Sequence, residues 1–141
     1  MSRTPYAGTD AGQATHLGLP VELLPSLDDA FASEVAVRLP RMFAATARLR
    51  AGATDAAHSI LSDVHALASS ANVVGEDVAA YAARECEQLL LAFVHGSAPY
   101  NAVQLISGGV DALGLALARW ADPTLVARQF PVVPPQVAGR G

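Results

Sequence analysis

Along most of the chain, apolar residues return at alternating steps of three and four, the spacing that keeps side chains on one face of an α-helix. Ala57, Ile60, Val64, Leu67, Ala71 and Val74 make one such stripe, and Val78, Ala82, Cys86, Leu89 and Phe93 make a second. Val103, Ile106, Val110, Leu113, Leu117 and Trp120 complete a third. Each stripe predicts a helix that buries one side against a shared core.

Helix breakers divide this pattern into elements. A short first helix is expected over about Val21–Asp29, with Pro20 placed for a first turn. A second spans about Ala30–Arg50, and Pro40 inside it removes a backbone donor, which predicts a bend or a split near Leu39. Gly52 ends this helix, and Thr54 or Asp55 caps a third that runs to about Val74, where Gly75 supplies a left-handed stop. The fourth covers about Glu76–Val94. The fifth begins near Pro99 or Tyr100 and reaches Trp120, weakened in its middle by Gly108 and Gly109 at about 1 kcal/mol each relative to Ala. Long helices with short connections predict an all-α fold, an antiparallel four-helix bundle over 20–122 with a short additional N-terminal helix. Residues 1–19 mix Gly, Thr, Pro and Asp without period and read as a flexible leader. Residues 123–141 carry Pro123, Pro131, Pro134 and Pro135 and read as an extended Pro-rich tail rather than helix.

Composition narrows the function classes. At 141 residues and 52% hydrophobic, the chain holds enough apolar side chain for one core. Ala dominates the middle of the chain and every basic residue is Arg; abundant Ala favours helix over sheet. Nine basic against thirteen acidic residues give a net charge of -4, which argues against a nucleic-acid partner. The single cysteine, Cys86, has no internal disulfide partner and lies in an apolar stripe, which fits a small core side chain in a reducing compartment. No apolar run approaches the roughly 18 residues of a membrane span. The expectation is a cytoplasmic protein with no membrane segment.

One histidine stands apart. On a helical wheel at about 100° per residue, His65 falls roughly 130° from the centre of its helix's apolar stripe, toward solvent. Its neighbours on that face are His58, Leu61, Ser62, Ala68, Ser69 and Asn72, mostly small and none formally charged. A helix face that met only water would more often carry Glu, Lys or Arg. Small neutral neighbours leave room for another protein to approach the ring. His58 shares the face, but no third ligand stands at helical spacing and Asp63 points to the opposite side, so no metal site is predicted. His95 at a helix end suits the helix dipole.

The run His65-Ala66-Leu67-Ala68-Ser69-Ser70-Ala71-Asn72-Val73-Val74-Gly75 resembles the signature of histidine-containing phosphotransfer (HPt) domains, H-x-L-K-G-S-A-x-x-(L/F)-G. The resemblance extends over about residues 25–120. Residues 50–55 stand where the family has a short turn before its histidine helix, Ala79, Ala83, Cys86 and Glu87 resemble the helix that follows, and Phe31 to Arg41 with Pro40 is similar to the family's Pro-interrupted helix. The chain departs from the pattern at two positions: Ala68 stands where the family has a phosphoryl-facing Lys, and Ser69 where it has Gly.

The resemblance implies that His65 is a phospho-acceptor and that His58, Leu61, Ser62, Ala68, Ser69 and Asn72 form a docking and phosphoryl-supporting patch. Neutral imidazole is a nucleophile near neutral pH, and phosphoryl transfer then rests on in-line positioning and charge stabilisation. The implied protein is a monomeric carrier and not an enzyme that turns over alone. Its partners are receiver domains of response regulators or hybrid histidine kinases. It has no cofactor of its own, the Mg2+ belonging to the receiver. Arg41, Arg48 and Arg84 are the candidates to replace the family's missing positive charge. The alternative is a degenerate HPt-like module that binds a receiver, or itself, without transfer.

Overall fold

The computed structural model describes residues 24–131, and these form five α-helices with no strand among them. They are α1 (Leu24–Arg50), α2 (Ala56–Val73), α3 (Asp77–Val94), α4 (Ala102–Ala116) and α5 (Pro123–Gln129), with a 3-10 turn at Ala118–Trp120 before α5. The leader at 1–19 and the tail beyond Pro131 lie outside the described residues. No described helix is long and apolar enough to cross a membrane.

Each of the first four helices packs on its neighbours in sequence, and α1 against α4 closes the ring. Cross-helix contacts fix the directions. Glu34 near the start of α1 meets Ser70 near the end of α2, and Glu76 at the head of α3 meets Arg119 just past the end of α4. Consecutive helices therefore run antiparallel around one core. Leu39 and Met42 of α1, Ile60 and Leu67 of α2, Leu90 of α3 and Ile106 and Leu113 of α4 are fully buried there. Each such side chain contributes about 1.5–3 kcal/mol by leaving water.

Two expectations about α1 are corrected. The short helix over Val21–Asp29 is not separate: residues 24–29 are the first turns of the same α1 that reaches Arg50, while 21–23 lie outside the described residues. Nor does Pro40 split α1 near Leu39. Pro40 is half-buried, and Ala36, whose carbonyl loses its helical donor to the proline, is an exposed residue. Four buried side chains around it, Val35, Leu39, Met42 and Phe43, hold the helix through the defect.

The helix stops fall where the glycines predicted them. Gly52 and Gly75 take φ of 102° and 79°, a region costly for residues with a Cβ. At the end of α2, Glu76 N–H donates to the Ala71 carbonyl at 2.8 Å and closes the turn.

The segment expected to be extended after Pro123 instead begins with α5. Pro123 occupies its first turn, where no backbone donor is needed, and the Asp122 side chain accepts from Thr124 N at 3.0 Å. Phe130 then packs edge-on against Phe43, with ring centroids 6.0 Å apart. Just before α5, Trp120 stacks edge-on against Phe31 at 4.8 Å and its Nε1–H donates to Glu76 at 2.9 Å.

Candidate functional site

Helix α2 lies between α1 and α3, so two of its flanks are covered. The flank toward α1 is closed by charge. Asp63, its side chain 2% exposed, accepts from Arg38 Nη1 at 2.8 Å and from Arg41 Nη2 and Nε at 2.6 and 3.0 Å. Arg38 also donates to Glu34 at 2.9 Å, and Glu34 accepts from the Ser70 hydroxyl at 2.5 Å. Hydrogen bonding to Asp63, and then its charge, hold the Arg41 guanidinium above its ordinary range. Every group in this cluster has a partner.

The flank toward α3 is built from small side chains. Ala68 and Ala71 of α2 and Ala79, Ala80 and Ala83 of α3 are all buried, and side chains of that size let two helices approach closely. The closeness brings Glu87 of α3 to His65 of α2. His65 Nδ1–H donates to Glu87 Oε2 at 2.6 Å. The imidazole side chain is 69% exposed and the carboxylate 20%. An ionised carboxylate only accepts, so the proton is on Nδ1, and in the neutral ring the lone pair is on Nε2. With Nδ1 held by α3, the free edge of the ring is the Nε2 edge. The arrangement is an exposed imidazole whose tautomer is set by a carboxylate on a second helix.

The structure places the predicted patch residues unequally. His58, Ser62, Ser69 and Asn72 are exposed, as expected of them, and Leu61 is half-buried against the core. Ala68 is corrected: at 4% exposure it belongs to the α2–α3 packing and not to the docking patch. The sequence pattern gave α2 a single stripe, whereas a helix with neighbours on both sides buries a wider arc. Ser69 donates to its own helix, to the His65 carbonyl, at a long 3.4 Å. Arg41 is corrected too, because it is engaged with Asp63 on the opposite flank from His65. Cys86 is buried as expected, and burial pushes its thiol up to about 12.

Glu87 is the site residue that the sequence reasoning did not select. A signal was present. In a helical hairpin turning at Gly75, residues about equally far from the turn face each other, and His65 and Glu87 are ten and twelve positions from it.

Two cavities lie elsewhere. One of about 430 Å³ opens beside Arg50, Tyr100 and Gln104 at another end of the molecule, and one of about 140 Å³ lies between Phe31 and Val73. His65 lines neither. Among the described residues no three His, Cys, Asp or Glu side chains gather as a metal would require. No protein-family model, curated protein or solved structure matches this chain.

Proposed function

We propose that this chain is a histidine-containing phosphotransfer protein, a four-helix bundle of HPt type that carries a phosphoryl group on His65 between aspartates of receiver domains. The observation that carries the reading is the His65–Glu87 pair. The 2.6 Å bond engages Nδ1 and leaves Nε2 as the other nitrogen of a ring 69% exposed, on a face whose exposed neighbours Ser62, Ser69 and Asn72 are small and neutral. The resemblance of residues 65–75 to the family's signature points the same way.

The chemistry asks little of the carrier. The Nε2 lone pair attacks phosphorus of an aspartyl phosphate in line with the acyl oxygen, the P–O bond to the aspartate breaks, and the electron pair leaves with the carboxylate. The ring keeps its Nδ1 proton and becomes cationic, and the Glu87 carboxylate stabilises that charge where it develops. The reverse step returns the phosphoryl group to another aspartate. Mg2+ enters with the receiver. Docking uses the patch of His58, Leu61, Ser62, Ser69 and Asn72, and the carrier acts in the cytoplasm as a monomer.

The test needs no cognate partner. Treat wild type, His65→Ala and His58→Ala with phosphoramidate, follow acid-labile mass gain, then add a receiver domain with Mg2+. The expected result is label lost only in His65→Ala and moved from wild type to the receiver. Label that persists in His65→Ala overturns the reading. Receiver binding that survives His65→Ala, with no transfer from wild type, supports the degenerate binding module instead.

A further inference from the structure

A phosphoryl group on Nε2 brings two negative charges to a face where Glu87 already stands. The two helices that border this face, α2 and α3, contain one Lys or Arg between them, Arg84. Every other described arginine lies on α1, on the turn after α4, or on α5. Arg38 and Arg41 are engaged with Asp63, Arg50 donates to Ser107, and Arg119 donates to Glu76. Arg48 is on α1, which borders the opposite flank of α2.

Register puts Arg84 beside the reactive ring. His65 meets Glu87, and the two helices run antiparallel, so one turn onward along α2, at Ser69, is met by one turn back along α3, at Ala83 and Arg84. From Glu87 to Arg84 is about 4.5 Å along the axis and about 60° around it. That rotation leads past Ala80 and away from the centre of the buried side of α3, which carries Ala79, Ala80, Ala83, Cys86 and Leu90. Arg84 is exposed and has no ion-pair partner among the described residues. The planar guanidinium offers paired donors that match phosphate oxygens.

Resting on the phosphocarrier reading above, we infer that Arg84 is the phosphoryl-facing cation of the His65 site: reaching across the α2–α3 seam over Ser69, it donates to the phosphoryl oxygens. A positive charge from the neighbouring helix thus serves a site whose own helix has none. With phosphoramidate as donor, Nε2 attacks phosphorus, the P–N bond breaks, and the zwitterion's amino group departs as neutral ammonia. The product carries a dianionic phosphoryl on a cationic ring, and Arg84 offsets the dianion as Glu87 offsets the ring.

The experiment compares wild type, Arg84→Ala and Arg84→Lys by rate of phosphoramidate labelling, lifetime of the phosphohistidine and thermal unfolding. At low ionic strength Arg84→Ala should label about tenfold more slowly, as loss of one partly screened charge contact predicts. Arg84→Lys should recover most of the rate, and the gap between wild type and Arg84→Ala should close in about 0.5 M salt. Unfolding temperatures should agree among all three. Wild type that labels on His65 while Arg84→Ala matches it in rate and lifetime overturns the Arg84 assignment and leaves the carrier reading standing. A rate loss that Lys does not restore and salt does not narrow also overturns it. Wild type that takes no label on His65 overturns both.

Discussion

Asp63 and His65 are two residues apart on α2, and each is paired with charge or hydrogen-bonding groups of a different neighbouring helix. Toward α1, one buried carboxylate takes three hydrogen bonds from two guanidinium groups, and neither carboxylate oxygen lacks a donor. Toward α3, one imidazole gives one proton to one carboxylate, and its side chain stays 69% exposed. The first pairing is complete without a partner; the second is complete on one side only. The contrast separates a polar group closed within the fold from one left open to solvent, and burial marks the difference: 2% for the Asp63 side chain, 69% for His65.

The largest expected effect is on the closed side. Asp63→Ala leaves two arginines facing each other without their anion. Charge-assisted bonds are worth more than neutral ones, but both guanidinium groups are partly exposed and regain water, so the cost should be about 2–3 kcal/mol. His65→Ala should change stability by less than about 0.5 kcal/mol, as an exposed site does. Denaturant midpoints of the two variants measure this, and equal losses would break the contrast.

Cys86 and Glu87 draw the same boundary within α3. Burial raises the Cys86 thiol from 9.0 to about 12, so the unfolded chain ionises first as pH rises. The folded state thus holds a proton that the unfolded state gives up. Stability from this group is intact below about pH 9 and falls between about 9 and 12, by at most about 1.4 kcal/mol per pH unit. Wild type should therefore lose more stability than Cys86→Ala between pH 9 and pH 10.5, as read from denaturant midpoints. Parallel losses would place the thiol in a wetter setting than the packing against Gly109 gives it.

The smallest effect sharpens the open side. Glu87→Gln keeps an oxygen that accepts from Nδ1–H but removes the charge that offsets the cationic ring. Phosphoramidate labelling should slow about fivefold, near 1 kcal/mol, with stability unchanged. An unchanged rate would reduce Glu87 to a spacer.

The sequence made α2 and α3 legible because their stripes are regular and their stops are glycines with positive φ. His65 was legible for the same reason, since a position opposite a clear stripe can be placed without coordinates. What it hid depends on neighbours. Ala68 is buried because α3 covers a second flank of α2, and alanine carries no mark of which flank it occupies. Pro40 is tolerated because the residue whose carbonyl it orphans, Ala36, is exposed, while Leu39 and Met42 are locked in the core. Pro123 opens α5 because Asp122 caps it and Phe43 offers Phe130 a surface, and the aromatic pair spans most of the chain. Glu87 was visible only through its distance from the Gly75 turn and its likeness to a family position, and two Ala-lined surfaces bring it to His65.

The central claim is that Nε2 of His65 is the acceptor while Nδ1 keeps its proton toward Glu87. Long-range proton–nitrogen NMR of the 15N-labelled protein, before and after phosphoramidate treatment, reads both nitrogens of each histidine ring. The predicted result is a neutral Nδ1–H ring at His65 that gains phosphorus on Nε2 alone, with His58 and His95 unaltered. A phosphoryl group on Nδ1 of His65, or on another histidine in its place, would contradict it.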